Sequence, residues 1–339
     1  MRAVRVDFWG DVRDVYANAN LSVYSAQTCN ARCAFCVEEL RPASRGTALG
    51  AQKTVEADDG RYFEALERVL DVVQPALRPS VSVTGGEPSK DPRLPRTLRV
   101  LAARGARKRT LTTNGSGLLD VREGKRVIDW IAETRVAHLN VSRAHVDQDR
   151  NARLMRYADG PTADDMRAIV RAARDAGTRV RLSCVLVEGA VATLADAVAY
   201  LAFARSLGVD NVVFRQLMKT DARTVADNFV VRFSGRKRVA LRPLLDEVAA
   251  DARFAFTRRL HGYYYDVEVW RFDGIDVVFE EADLARLEES KRAAPRFVHE
   301  LIFHPSARLA STWQPWDDVL GPPAVAPRGP ATYAPDRRP

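Results

Sequence analysis

Apolar and polar residues alternate in a regular rhythm between residues 20 and 218. Six short apolar runs predict β-strands, at residues 21–25, 81–84, 109–113, 137–142, 179–187 and 211–217. Segments between them show helical spacing; two begin with capping signals at Thr162 and Thr193 and end at Gly177 and Gly208. Strands that alternate with helices predict an α/β fold, in which helices cover a parallel sheet or partial barrel.

The pattern changes after Met218. It predicts a helix over residues 241–252, a hairpin from strands 263–272 and 275–280, and short strands at 301–303 and 309–312. We therefore divide the chain into an N-terminal segment (1–19), a barrel core (20–222), a C-terminal α+β cap (223–320) and a tail (321–339). The nineteen residues of the tail include six prolines, which predicts an extended or disordered chain.

The composition is that of a globular protein, with 46% apolar and 28% charged residues. The most apolar stretch, residues 190–204, contains Asp196, so no membrane span is predicted. Asp7, Asp11 and Asp14 argue against a secretory signal, and the expected location is cytoplasmic. The net charge of +8 favours an anionic ligand such as phosphate or nucleic acid, although a coding bias toward arginine explains it equally well.

Three of the four cysteines lie within eight positions, at Cys29, Cys33 and Cys36. Thiolates so close together on one loop favour a shared metal centre over a disulfide framework. A structural zinc site uses four ligands, so three thiolates leave one position open for a molecule that is not protein. Cys184 lies within an apolar strand and is interpreted as a buried hydrophobe, with a role as ligand or hydrogen-atom donor left open.

The segment Cys29-x3-Cys33-x2-Cys36, with the aromatic Phe35 before its last cysteine, resembles the signature of radical S-adenosylmethionine (SAM) enzymes. In that family the three cysteines bind a [4Fe–4S] cluster, and the amino and carboxylate groups of SAM occupy the fourth iron. The resemblance implies a partial (βα)6 barrel, with the cluster and SAM as cofactors.

A second match begins 49 residues after Cys36, where Gly85, Gly86, Glu87 and Pro88 follow the second predicted strand. This tetrapeptide resembles the Gly-Gly-Glu-Pro motif of the family, which contacts the SAM ammonium group. The residue types suit the role, because glycines let the backbone approach a ligand closely and proline makes the turn rigid.

Polar residues at the ends of the later strands are further candidates for SAM contacts. These stretches resemble most the molybdenum-cofactor GTP cyclase branch, in which the residues that match Thr113 and Ser142 touch the SAM carboxylate. Asn114 extends the polar end of the third strand. Ser183 is expected near the SAM ribose, although that branch has asparagine there, and Gln216 belongs to the strand that supports the adenine.

Three more polar residues are candidates for the substrate. Strand alternation places Arg181 on the same face as Ser183, and Cys184 on the opposite face toward the helices. A cation inside a barrel is costly unless it is paired, so Arg181 is predicted to bind a substrate anion and Arg215 to line the same cavity. His145 is a candidate acid/base group or substrate contact. A structural ion pair or a surface position is the alternative for each.

Two basic segments have less specific interpretations. Arg41 and Arg45, beyond the cysteine loop, either close over a phosphate or form a solvated loop. The basic run before the third strand, which includes Lys108, is expected at the end opposite to the site and is interpreted as solvated charge.

The resemblance implies that an electron donor such as flavodoxin or ferredoxin reduces the cluster, and that SAM is cleaved to methionine and a 5′-deoxyadenosyl radical, which abstracts hydrogen from the substrate. No cysteine follows Cys184, so the auxiliary clusters of peptide-maturing members and of the GTP cyclase are missing. The predicted substrate is a small anionic metabolite, a nucleotide or sugar phosphate, that is rearranged, epimerised or joined by a C–C bond in specialised metabolism. Nucleic acid is a less favoured substrate, and a non-catalytic zinc-binding module is the alternative from another class.

Overall fold

The computed structural model describes residues 2–40, 54–220 and 227–321. Its strands are β1 (Ala3–Phe8), β2 (Asp11–Tyr16), β3 (Leu21–Tyr24), β4 (Ser80–Thr84), β5 (Lys108–Thr113), β6 (Val121–Arg122), β7 (Lys125–Arg126), β8 (His138–Ser142), β9 (Arg179–Leu186), β10 (Asn211–Gln216), β11 (Phe254–His261), β12 (Tyr265–Phe272), β13 (Ile275–Ala282), β14 (Phe297–Val298), β15 (Leu301–Phe303), β16 (Leu309–Ala310) and β17 (Val319–Leu320). Its helices are α1 (Asp59–Leu77), α2 (Leu94–Ala103), α3 (Val127–Glu133), α4 (Gln148–Met155), α5 (Ala163–Asp175), α6 (Leu194–Ser206), α7 (Phe229–Lys237), α8 (Leu241–Ala250) and α9 (Leu284–Ala293). No helix in these three segments is long and apolar enough to cross a lipid bilayer.

The centre of the molecule is a run of six parallel strands. Their order, β3, β4, β5, β8, β9 and β10, follows the chain, and helices connect them. Parallel neighbours joined by helical crossovers confirm the predicted α/β class and partial barrel. The helices form where capping signals predict them: Thr162 and Asp165 make a capping box at the start of α5, whose Met166 and Ile169 are buried in the core.

The two faces of this parallel sheet differ in polarity. Val83, Leu111, Leu139 and Val180 lie in register on adjacent strands and are buried in the core with the helices. The residues between them point to the other face, which we call the inner face. The polar members of the inner face include Ser82, Lys108, Thr110, Thr112, His138, Asn140, Ser142, Arg179, Arg181 and Ser183. The interior of the barrel is therefore polar.

The C-terminal region extends the same sheet at both ends. β13 pairs in parallel with β10, and β12 and β11 continue from it as antiparallel strands. At the other end β15 pairs in parallel with β3, followed by the antiparallel β16 and β17. The predicted hairpin turns at Asp273 and Gly274, both at positive φ, as a two-residue type I′ turn requires. The division into a core and a cap stays a prediction, and its boundary at residue 222 lies outside the described residues.

The sequence pattern did not predict the N-terminal hairpin of β1 and β2, which turns at Trp9 and Gly10 and pairs with β14. Val6, Phe8 and Val15 of this hairpin are buried in the core. In β1, Val4, Val6 and Phe8 alternate with charged residues, which is the pattern of a half-buried strand, whereas β2 has an exposed Val12 and a buried Arg13 and shows no clear alternation.

Two sequence-based interpretations fall on residues that are not described. The positions of Arg41 and Arg45 lie outside the described residues, as does all of the predicted tail except Gly321.

Candidate active site

The three cysteines lie on the loop that follows β3, at the carboxyl end of the parallel strands. Burial raises the pKa of the Cys29 thiol to about 11 and that of Cys36 to about 12. The pKa of Cys33 is also raised, by burial and then by the charges of Cys36 and Cys29. Thiols in such surroundings ionise when a positive charge binds to them, and iron supplies that charge.

This donor set fits three corners of a [4Fe–4S] cluster. No group of three His, Cys, Asp or Glu side chains in the described segments surrounds a single metal position. A cubane does not require that arrangement, because each thiolate binds a different iron. The three cysteines that follow the first barrel strand are therefore suitable ligands for a cluster whose fourth iron stays open to SAM.

The backbone before Cys29 is held by the loop that follows β4. Asp91 Oδ2 accepts hydrogen bonds from Ser25 Oγ at 2.7 Å and from the Ala26 amide at 2.9 Å. Gly86 has φ of +52°, and a Cβ there would lie 1.9 Å from the carbonyl oxygen of Gln27. Only glycine allows this approach, so Gly86 of the Gly-Gly-Glu-Pro sequence packs directly against the cysteine loop.

The rest of the cysteine loop is held from β5 and α4. Asn114 Nδ2 donates to Asn30 Oδ1 at 2.9 Å and lies 3.9 Å from Cys29 Sγ. The amide of Ala34 donates to the carbonyl of Leu154 at 3.0 Å, at the end of α4. The segments that follow β4, β5 and β8 thus position the thiols before any cofactor binds, and this lowers the free-energy cost of ordering the cysteine loop.

Glu87 is buried, with 1% of its surface exposed, and its carboxylate is bound by its own chain. Oε1 accepts hydrogen bonds from the Ser89 amide at 2.9 Å, from Ser89 Oγ at 2.6 Å and from Thr113 Oγ1. Oε2 accepts one from the Asn114 amide at 2.7 Å. Burial raises the pKa of Glu87, and these hydrogen bonds oppose the rise.

The structure therefore gives Glu87 and Thr113 a role that the sequence did not predict, namely to join the β4 loop to the end of β5. Their contacts with the ammonium and carboxylate groups of SAM stay predictions.

Gly85 and Tyr24 form a second connection beside the cysteines. Gly85 has φ of +77°, and a Cβ there would lie 2.2 Å from the ring of Tyr24. The Tyr24 hydroxyl accepts a hydrogen bond from the Gly86 amide at 3.2 Å and is hydrogen-bonded to Glu38, two residues after Cys36. Burial raises the pKa of Tyr24 strongly, so its phenol stays protonated and can donate to Glu38.

The remaining predicted cofactor residues occupy different surroundings. Ser142 and Ser183 lie in register on the inner face, near the carboxyl ends of β8 and β9. Phe35 packs beside the buried Met155, and Pro88 is buried at the start of a short 3-10 helix. Gln216 Nε2 donates to the carbonyl of Val239 at 2.7 Å. The roles of these residues in binding SAM stay predictions.

Two of the three predicted substrate residues already have partners. Arg215 Nε lies 3.3 Å from Glu280 Oε1. His145 Nδ1 accepts a hydrogen bond from the Asp147 amide at 3.0 Å, and its Nε2 lies 3.3 Å from Arg150 Nη1. The Arg215 contact matches the structural ion pair stated as its alternative, whereas His145 is buried and does not occupy the surface position stated as its alternative; the catalytic roles of both stay predictions.

Arg181 lies on the inner face and is largely buried, and its guanidinium donates to the amide oxygen of Asn211. Lys108 differs from the sequence interpretation: it is half-buried at the start of β5, and its pKa is lowered by burial and then by the charge of Arg181. The interpretation was wrong because Lys108 alternates in step with Thr110 and Thr112, so its side chain points to the inner face.

The sequence analysis also did not identify the residues that hold the cysteine loop. These residues are Asp91 and Asn30, together with Asn114, which was expected to contact SAM and not to anchor the loop. The signal was weak, since an aspartate or asparagine after a strand is usual in turns. Cys184 is completely buried in the core beside the helices, and its sulfur lies 3.7 Å from the carbonyl of Ala144.

Comparison with known proteins identifies the family. Residues 23–191 match the model of the radical SAM superfamily. Together with the cysteine and Gly-Gly-Glu-Pro sequences at adjacent strand ends, this match shows that the chain belongs to the radical SAM superfamily. It is an enzyme that uses SAM and a [4Fe–4S] cluster, which decides against a non-catalytic zinc-binding module.

Several solved structures are similar to the chain. SuiB from Streptococcus suis, bound to SAM, has a TM-score of 0.47 and 18% identity over 68% of this chain and 47% of its own. The enzyme anSMEcpe with bound SAM has a TM-score of 0.40 and 15% identity, over 57% of this chain and 50% of its own. The radical SAM methyltransferase TsrM from Kitasatospora setae has a TM-score of 0.43 and 18% identity, over 60% and 37%. The chain spans about half the length of the first of these proteins. No curated protein matches it.

Proposed function

We propose that this enzyme abstracts hydrogen from a small anionic metabolite of the nucleotide or sugar phosphate class, and rearranges, epimerises or couples it in specialised metabolism. The polar inner face is the observation that supports this most directly. Asn140 Nδ2 donates to Thr112 Oγ1 at 3.3 Å, while Asn140 Oδ1 is buried without a partner among the described residues. Arg181 lies in register with Asn140 on the next strand. Such a lining suits a hydroxylated anion and disfavours an apolar substrate.

The inner face orders the substrate relative to the cofactors. When bound, the cluster and SAM supply one-electron cleavage of SAM and the abstraction of hydrogen from a substrate carbon. Ser142 and Ser183 lie nearer the cysteines than Arg181, which is two residues closer to the start of β9. Arg181 can therefore hold the anionic end of the substrate while the opposite end faces SAM. The enclosing strands exclude water, which protects a reactive species from side reactions.

A basic cleft beside the cysteine loop suits an acidic electron donor of the flavodoxin or ferredoxin type. The cleft has a volume of about 420 Å³, and Ala34, between Cys33 and Cys36, lines it. It contains Arg150, Arg153, Arg156 and Lys237 against one carboxylate, that of Glu188, and it adjoins Phe229, which is 46% exposed. Cations around an exposed aromatic ring are typical of a surface that attracts an acidic partner.

The docking surface is tested with Lys237→Glu and two reductants. With reduced flavodoxin as donor, we expect SAM cleavage to slow several-fold and to become less sensitive to salt, because a steering charge is reversed. With dithionite, a small reductant, the rate should not change. Lys125→Glu, on a different part of the surface, is the matched control. Equal effects with both reductants, or no effect with flavodoxin, would contradict the assignment.

The substrate class is tested by an anaerobic screen. The reconstituted enzyme is incubated with nucleotides, sugar phosphates and their uncharged parent compounds, and 5′-deoxyadenosine is measured. We expect release to rise only with phosphorylated compounds, and deuterium transfer from the active compound locates the attacked carbon. Arg181→Gln should lower substrate-dependent release by at least about ten-fold and leave slow substrate-independent SAM cleavage intact. An uncharged compound or a peptide as the best substrate would overturn the proposal.

Three arginines on the outer surface, which are engaged within the protein, do not add support for a nucleic-acid substrate. On α5 and after it, Arg167 pairs with Asp164, and Arg174 donates to the carbonyl of Gly208. Arg205, at the end of α6, pairs with Asp273. Since these cations are engaged within the protein, the inner face is the stronger candidate for recognition of an anion. A steep loss of RNA binding with salt would favour the alternative.

A further inference from the structure

Besides Arg179, which forms ion pairs with Asp210 and Asp276, three cationic or titratable side chains occupy the inner face near the starts of adjacent strands. Lys108 begins β5, His138 begins β8, and Arg181 is the third residue of β9. The strand register pairs His138 with Thr110, two residues after Lys108, and Arg181 with Asn140, two residues after His138. The three side chains therefore follow a diagonal across three neighbouring strands, all on one face of the sheet.

None of these three groups forms an ion pair with a carboxylate in the described residues, although the charges of Glu280 and Asp276 partly offset that of Arg181. Nearby carboxylates are used by other arginines: Asp276 lies 2.7 Å from Arg179, and Glu280 pairs with Arg215. The guanidinium of Arg181 binds a neutral amide oxygen. Within residues 2–40, 54–220 and 227–321, no carboxylate forms an ion pair with Lys108 or His138.

The incomplete compensation of these charges is unfavourable for the protein without a ligand. Burial and the charges of Lys108, Arg181 and Arg179 lower the pKa of His138 to about 4. Burial and the charge of Arg215 lower the pKa of Arg181 as well. Half-buried like charges persist at a cost in stability, and such a cost is typical of sites that bind an opposite charge.

A buried acceptor atom beside these groups indicates which other chemical group the ligand carries. Asn140 lies two residues after His138 and directly opposite Arg181 in the strand register, and its Oδ1 is buried and accepts no hydrogen bond in the described part of the chain. A ligand hydroxyl would satisfy it. Three donors from three strands match the terminal oxygens of a phosphate ester, which carries up to about two negative charges, better than the two oxygens of a carboxylate.

We propose that Lys108, His138 and Arg181 form a binding site for the phosphate group of a hydroxylated phosphate ester, with Asn140 Oδ1 accepting a hydrogen bond from a ligand hydroxyl. The inference rests on the proposed function, because it assigns the anionic end of the substrate to these residues. Ser183 lies two residues after Arg181 on β9, and Ser142 lies four residues after His138 on β8. At about 3.3 Å per residue, the two serines, where SAM is predicted to bind, lie on the order of 7–13 Å along the strands from the proposed phosphate site.

Isothermal titration of the holoenzyme tests the site, with inorganic phosphate and glycerol 3-phosphate as probes. We expect both probes to bind, and Lys108→Met and Arg181→Gln each to weaken binding by at least about ten-fold, because each variant removes a charged hydrogen bond. Lys125→Met, which removes a surface ion pair with Glu133, is the matched control and should bind phosphate like the unaltered enzyme.

Thermal unfolding without phosphate gives a second readout that does not depend on affinity. Removing one of several like charges should raise the unfolding temperature of Lys108→Met, whereas a structural lysine would lower it. Phosphate should raise the unfolding temperature of the unaltered enzyme and have a smaller effect on this variant.

Several outcomes would overturn the phosphate site: no binding of either probe, equal binding by the variants, acetate binding as tightly as phosphate, or a less stable Lys108→Met. The proposed function fails separately. If phosphate binds at these residues but the substrate screen finds an uncharged substrate, the site stands and the substrate class is wrong.

Discussion

The buried carboxylate of Glu87 allows a prediction about how the active site is held together. We expect Glu87→Gln to destabilise the protein even without SAM, because the two carboxylate oxygens receive four hydrogen bonds from Ser89, Thr113 and Asn114. An amide has only one acceptor oxygen. If that oxygen keeps its three donors, the new NH2 group faces the Asn114 amide, which donates at 2.7 Å.

The magnitude follows from these contacts. A buried amide left without an acceptor costs about 1–3 kcal/mol, and three charge-assisted hydrogen bonds become neutral ones that are weaker by about 0.5–1 kcal/mol each. The neutral side chain is easier to bury, which offsets about 1–2 kcal/mol of this loss. The net expectation is a loss of about 2–4 kcal/mol, which lowers the unfolding temperature by roughly 5 °C in a chain of this size.

The assay is anaerobic unfolding of the apo and reconstituted proteins, with iron content measured in parallel. The control is Glu67→Gln, since Glu67 pairs with Arg104 at the surface and its loss should cost less than about 0.5 kcal/mol. Equal stability of Glu87→Gln and the unaltered apo protein would refute a positioning role. Loss of SAM affinity alone would instead support direct contact with the SAM ammonium group.

Three further predictions concern the same loops and the inner face. Gly86→Ala should prevent cluster assembly, because its Cβ would lie 1.9 Å from the Gln27 carbonyl oxygen, and the measurement is a loss of most bound iron. The control is Gly177→Ala, since Gly177 has a similar positive φ but open space around the position of a Cβ. This variant should lose about 1 kcal/mol of stability and keep its full iron content. Asp91→Asn should lower iron retention several-fold, since it weakens the anchor at the start of the cysteine loop, and unchanged retention would contradict that role. The pKa of His138 is lowered to about 4, so the unfolded chain binds its proton more readily between pH 6.5 and 4 and stability falls as the pH falls through that window. His138→Asn should flatten this part of the stability profile, and an unchanged profile would show that His138 is not its source.

The sequence was sufficient where chemistry lies in consecutive residues or in short periodic patterns. Cys29, Cys33 and Cys36 are the predicted cluster ligands by their spacing and its resemblance to the family signature, which needs no information about the rest of the chain. Apolar alternation located the parallel strands to within one or two residues, because burial on one face imposes a period of two. Capping residues such as Thr162 marked helix starts for a similar local reason.

The sequence was insufficient where a residue's role depends on distant neighbours. Glu87 is charged and follows two glycines, which suggested a contact with a cation. In the fold its carboxylate accepts hydrogen bonds from Thr113 and Asn114, 26 and 27 residues away, and its contact with the cation stays a prediction. Lys108 was assigned to solvent because it precedes a strand, and the register of β5 against β8 shows it on the inner face instead.

By itself, the sequence determined the class of chemistry and the order of strands and helices, and it located the predicted cluster ligands, because each is encoded within a few adjacent positions. Only the tertiary structure decided which polar groups already have partners and which do not. That distinction separates Arg215, paired with Glu280, from Lys108 and His138, which have no acidic partner in the described chain. The physical reason is that strand pairing brings together residues far apart in sequence, and the electrostatic cost of a buried charge depends on those neighbours rather than on the local pattern.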